Sequence, residues 1–238
     1  MSGGIQISVR QAAKIAGVAY VALFVLGIFA NFFVREGLVV AGDAAATVAN
    51  IQDSELLFRF GIVSFLIIFV LDVVIAWLLY IIFRSESRDI SLVAAWFRLI
   101  YTVFLGVAII FFFVVLQLLS GADYLSSFSG GQIEAQAMLY LDAFNFTWLI
   151  GLLMFGIHLI VLGYLILKSV SLPKYLGVLL VLAGSGYVVD TLAFSILSDY
   201  DQYKDVFLAI VAIPSIVGEL AFTIWLFMKA GKNQVVGS

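Results

Sequence analysis

The sequence predicts an all-α integral membrane protein, a bundle of six transmembrane helices with both termini in the cytoplasm. Three observations predict it. Hydrophobic residues make up 64% of the 238-residue chain and charged residues 11%, against roughly one half and one quarter in soluble domains. The apolar residues gather into six runs, each near the roughly 20 residues that carry a helix across about 30 Å of hydrocarbon. The basic residues mark alternate breaks between those runs. A chain of this size cannot hide so much apolar surface in one core, so lipid is its solvent. The bilayer is therefore its first expected partner.

The runs lie at about residues 14–34, 56–83, 90–119, 143–167, 175–197 and 206–228. They leave no room for a soluble domain, so residues 1–238 form a single integral membrane domain. Polar or turn-forming segments separate them, among them Ser120 to Gln132 and Lys168 to Lys174 with Pro173. The first run could be read as a signal peptide, with Arg10 and Lys14 ahead of it and Val39 and Ala41 as a small-residue cleavage site. Its apolar stretch exceeds the roughly 7 to 15 residues of a signal core, and Arg35 and Glu36 stand before the cut. It reads better as a retained helix.

Orientation follows from the basic residues. Arg10, Lys14, Arg84, Arg88, Lys168, Lys174, Lys229 and Lys232 are eight of the twelve Lys and Arg and fall on one side. The other side has Arg35 and Lys204 with a surplus of carboxylates, including Asp43, Glu55, Asp123, Asp199, Asp201 and Asp205. The first side is the cytoplasmic one. Two outer segments should have structure of their own. Asp43 is placed to cap a short helix over Ala44 to Ile51, and residues 132–142, free of breakers, should extend the fourth span outward.

Ionisable side chains inside a span cost about 2.5 to 3.5 kcal/mol each, so each is a candidate for function. These are Arg59, Asp72, Arg98, His158, Asp190 and Glu219. At about 1.5 Å per residue, Asp72, Arg98, His158 and Glu219 fall in one slab roughly 12 to 17 Å from the cytoplasmic edge. Arg59 and Asp190 form an outer layer. Depth permits Arg98 to pair with Asp72 or Glu219, and Arg59 with Asp190. Ser215, Glu219 and Thr223 recur every four residues, Ser91, Arg98 and Thr102 share a face, and Ala183, Gly186 and Asp190 form a small-residue face. Pro214 precedes Glu219 by five residues and removes a backbone hydrogen bond.

Two arginines oppose three carboxylates in these layers. Neutrality requires a protonated carboxylate or a charged His158, and a group poised in that way can exchange a proton. The competing reading is that Arg-carboxylate pairs and a neutral His158 only fix the register of the bundle. Residues 97–105 also resemble residues 218–226, as an inverted repeat of two three-span halves would require, although chance similarity is easy in so apolar a chain.

Other chemistries are excluded or unsupported. The chain has no cysteine, which removes disulfides, thiolate nucleophiles and zinc-thiolate sites. One histidine cannot make a bis-His haem or a zincin pair, and phosphate-binding or nucleophile-elbow motifs are missing. No metal, cofactor or nucleic-acid partner is implied. A small-molecule or lipophilic ligand is expected.

Short motifs spread along the chain carry a family resemblance. They are Gly42 to Thr47, Leu57-Phe58-Arg59, Trp96-Phe97-Arg98-Leu99, Leu141-Asp142-Ala143-Phe144, Phe155-Gly156-Ile157-His158-Leu159, Leu162-Gly163-Tyr164, Leu172 to Gly177, Gly186-Tyr187-Val188-Val189-Asp190 and Gly218-Glu219. From about Ala12 to Gly231 the chain resembles a family of prokaryotic multi-pass membrane proteins known only as a domain of unknown function. The resemblance implies a membrane protein of this size and supplies no reaction.

Three functions then compete. In the first, the polar layer lines a cavity for a small molecule or ion whose movement is coupled to protonation of Glu219 or His158. In the second, a membrane-embedded enzyme uses Asp72, Asp190 or Glu219 as general acid or base, with an arginine holding an anionic group. In the third, the chain is a structural or regulatory membrane subunit.

Overall fold

A computed structural model describes residues 7–231; Lys232 and the side chain of Asp201 lie outside what is described. Among the described residues six helices are long and apolar enough to cross a membrane, and a short seventh lies between the first two. In chain order they are α1 (Val9–Leu38), α2 (Ala44–Asp53), α3 (Glu55–Phe83), α4 (Arg88–Leu118), α5 (Gly130–Lys168), α6 (Lys174–Ile196) and α7 (Lys204–Gly231). No strand occurs among the described residues.

α3, α4 and α6 match their apolar runs to within two residues, while α1, α5 and α7 extend past theirs at both ends, because polar residues at a helix end can stay helical. α5 is the extreme case, taking in the whole of residues 132–142 as expected. The short helix α2 is capped as expected: Asp43 Oδ1 accepts from Ala46 N at 2.9 Å, after a left-handed Gly42 at φ 77°. Thr47, Val48 and Ile51 are its buried face. Asn50 Nδ2 donates to the Leu38 carbonyl at 3.2 Å and so ties α2 to the end of α1.

The described chain divides into two compact units. One takes residues up to Val21, Asp72–Tyr101 and everything from Leu152 onward; the other takes Ala22–Leu71 and Thr102–Gly151.

In the first unit α5 and α6 meet backbone to backbone. A Cβ on Gly163 would lie 2.7 Å from the Gly177 carbonyl oxygen, and one on Gly177 would lie 2.8 Å from the Gly163 oxygen. Seven residues along, Gly156 and Gly184 repeat the contact. The pairing of 156 with 184 and of 163 with 177 requires antiparallel helices. Small-residue seams of this kind let helices in lipid gain close packing where no hydrophobic force drives them together. The other side of α6 approaches α7 through Gly186, whose Cβ would stand 2.8 Å from the Ile210 carbonyl oxygen. That carbonyl is the one Pro214 cannot donate to, four residues on in the unbroken helix α7. Phe222 and Trp225 of α7 stack on Phe83, at 6.2 and 5.7 Å between centroids. Gly17 of α1 leaves room for the Phe227 ring.

The second unit is built on aromatic rings. Phe112 and Phe144 stack at 3.9 Å, with Phe65 5.7 and 5.3 Å from them. In this unit α1 widens into a π-helical segment, Phe29–Arg35, where Val34 packs against Gly61. Arg35 donates to Asn145 Oδ1 at 2.6 Å and lies over the Trp148 ring at 5.6 Å.

Candidate functional site

The first unit is organised around Arg98. α4 carries Ser91, Arg98 and Thr102 on its buried face, with 2%, 1% and 1% of their surface exposed. A guanidinium buried this deeply must find acceptors and a counter-charge within reach. Asp72 of α3 supplies both: Arg98 Nη2 donates to Asp72 Oδ1 at 2.5 Å, and both side chains are at most 2% exposed. Nη1 donates to the Tyr20 hydroxyl of α1 at 2.9 Å. The rings of Tyr20 and Phe155 flank the guanidinium at 5.2 and 5.3 Å, within cation-π range.

His158 of α5 completes the centre. Its Nδ1 lies 2.8 Å from the Ala94 carbonyl oxygen, which can only accept, so Nδ1 carries a proton. Its Nε2 lies 3.4 Å from Arg98 Nη1, which can only donate, so Nε2 presents its lone pair. The two contacts assign the neutral Nδ1–H tautomer. His158 then serves as a positioning residue, joining the α4 backbone at Ala94 to the Arg98 side chain.

Glu219 of α7 differs from Asp72. It interacts electrostatically with Arg98, Asp72, Tyr20 and Tyr187, but among the described residues its carboxylate makes no hydrogen bond or ion pair. Ser215, one turn earlier, is 6% exposed, and its Oγ has no hydrogen-bond partner. The Tyr187 hydroxyl stands next to Ser215 without forming a hydrogen bond of good geometry to it. Thr223 Oγ1 is occupied, donating to the Glu219 backbone carbonyl at 2.7 Å.

Arg59 and Asp190, which depth permits to pair, each have a local partner. Arg59 Nε donates to Glu55 Oε1 at 2.6 Å, one helical turn away, and both side chains are 55% exposed. Asp190 Oδ1 accepts from the Tyr200 hydroxyl at 2.6 Å. The charge count thereby contracts. One arginine, one neutral histidine and two carboxylates, Asp72 and Glu219, belong to the centre. Sequence reasoning missed Tyr20 and Tyr187, whose rings look like ordinary apolar filling and whose hydroxyls matter only once their neighbours are known.

A cavity of about 10 Å³ with apolar walls lies in the second unit, bounded by Ala30, Val34, Phe58 and Phe112 among others. An open notch runs along α7 from Asp205 to Pro214.

Six helices long and apolar enough to cross a membrane, among the described residues, make this a multi-pass membrane protein. Residues 15–230 match the family described as Domain of unknown function (DUF4386), and the chain belongs to it. An uncharacterized protein of Archaeoglobus fulgidus is 30% identical over 179 residues, which cover 75% of this chain and 89% of that protein. No solved structure matches.

Proposed function

We propose that this chain moves a small molecule or ion across the cell membrane, with exchange of a proton at Glu219, and that both its ends are cytoplasmic. The carrying observation is the contrast between the two carboxylates. Asp72 is enclosed and committed to Arg98 at 2.5 Å; Glu219, among the described residues, makes no hydrogen bond or ion pair. With Arg98 and Asp72 cancelling and His158 neutral, an ionised Glu219 leaves one net negative charge in a low-dielectric setting. Such a charge is costly without a counter-ion. Binding a proton or another cation relieves that cost, and releasing it restores the charge. Two states that differ by one cation are what coupling to transport requires. On this reading Arg98, Asp72, Tyr20 and His158 hold the spans in register, and the exchanging group is on α7.

Infrared difference spectroscopy of the purified chain in lipid tests this. The carbonyl band of a protonated carboxylic acid should appear and disappear over a pH titration, and Glu219→Gln should remove it. In liposomes holding a pH-sensitive dye, solutes that are transported should produce a proton signal that the same substitution abolishes. A titrating band unaffected by Glu219→Gln, or the lack of any such band in the wild type, refutes the proposal.

A further inference from the structure

We infer that the ion competing with the proton is a monovalent alkali metal cation, held by the Glu219 carboxylate, the Ser215 hydroxyl and the Tyr187 hydroxyl. The inference rests on the proton-exchange reading of Glu219 and adds a ligand and two further residues to it.

Three observations carry it. Ser215 Oγ is a buried oxygen without a hydrogen-bond partner. An unsatisfied buried hydroxyl costs about 1 to 3 kcal/mol, so a ligand that uses its lone pair recovers free energy. Ser215 and Glu219 are four residues apart on α7, which stacks their side chains on one helix face. Tyr187 brings a third oxygen from α6: its hydroxyl is beside Ser215 and within electrostatic range of Glu219.

The donor set consists of oxygens alone, one charged and two neutral, and so selects a hard cation. Its charge selects a monovalent one. Arg98, Asp72 and an ionised Glu219 sum to minus one, which a single positive charge neutralises. Calcium takes six to eight oxygens and commonly several carboxylates, and none of the described residues form a cluster of three or more acidic or His groups fit for such an ion.

The test is thermal unfolding of the full-length purified chain at constant ionic strength in NaCl, KCl or choline chloride. NaCl or KCl should raise the melting temperature above that in choline chloride, and more so at higher pH, where fewer protons compete. Ser215→Ala and Tyr187→Phe should each raise the half-saturating cation concentration at least about tenfold, a loss found even for supporting contacts to a metal. Both variants should keep the titrating carboxyl band of Glu219. Glu219→Gln should lose band and cation response together. Equal behaviour in all three salts, or a cation response unchanged by the three substitutions, overturns the cation site while the band still reports on proton exchange. If the band survives Glu219→Gln, the underlying proton reading falls instead.

Discussion

Asp72→Asn is the sharpest test of what holds the first unit together. The substitution keeps the size and one oxygen of the side chain but removes the charge that faces Arg98 Nη2 at 2.5 Å. With 1% of its surface exposed, Arg98 cannot turn to water. It keeps the Tyr20 hydroxyl at 2.9 Å and the His158 nitrogen at 3.4 Å, both neutral. Breaking a buried pair in this way costs about 3 to 5 kcal/mol, because the remaining charge stays desolvated. Glu219, within electrostatic range of Arg98, should bring the loss toward the lower bound. Tyr20→Phe gives the comparison: it keeps the ring 5.2 Å from the guanidinium and deletes one hydrogen bond to a charged donor, for about 1.5 to 3 kcal/mol. Reversible unfolding by a denaturing detergent, followed by circular dichroism, measures both. A loss below about 1 kcal/mol for Asp72→Asn, against that expectation for a broken buried pair, would refute the assignment of this ion pair as the organising contact.

Three further outcomes are expected. Glu219→Gln should change stability by less than about 0.5 kcal/mol in the same assay, as substitutions away from a specific contact do, because no hydrogen bond or ion pair of a described residue is lost. Gly163→Ala should destabilise by about 1 to 3 kcal/mol or more, the usual cost of overpacking, since its methyl would press on the Gly177 carbonyl and on Val181 Cγ2 at 2.7 and 2.8 Å; normal yield and melting temperature would contradict the seam. A green fluorescent protein fused to the C-terminus should fluoresce and an alkaline phosphatase fused there should stay inactive, if the eight basic residues on one side set the orientation.

Features with local causes were legible in the sequence. Asp43 caps α2 because a short acceptor before an uninterrupted run suffices for that bond, and the six spans follow from length and apolarity alone. The Arg98–Asp72 pair was also within reach, since a buried guanidinium at that depth has few carboxylates to choose from. The Arg59–Glu55 pair went unread because depth alone was weighed. Glu55, one turn away, is a local partner at the aqueous end of α3, and a nearby partner needs no tertiary fold to bring it close. The π-helical segment of α1 was invisible for the opposite reason. Nothing in Phe29–Arg35 breaks an α-helix; the segment meets its neighbours at Gly61 and Asn145, which are distant in sequence. The Gly156, Gly163, Gly177 and Gly184 seam shows only as scattered glycines until the antiparallel pairing aligns them.

Asp72 and Glu219 have the same signature in the sequence, an acid near the middle of an apolar span, and their different roles follow from which one Arg98 takes. This makes the roles exchangeable, and a double-mutant cycle can expose that. In Asp72→Asn, Glu219 becomes the one carboxylate of the centre, so it should remain ionised as the counter-charge of Arg98. Its infrared carboxyl band should then vanish although Glu219 itself is unchanged. Glu219→Gln, nearly neutral in the wild type, should become destabilising in that background, with a coupling of about 0.5 to 3 kcal/mol, the range for residues within one network. Additive losses with an intact band would mean that the two carboxylates are independent, and the charge balance on which proton and cation exchange were built would not hold.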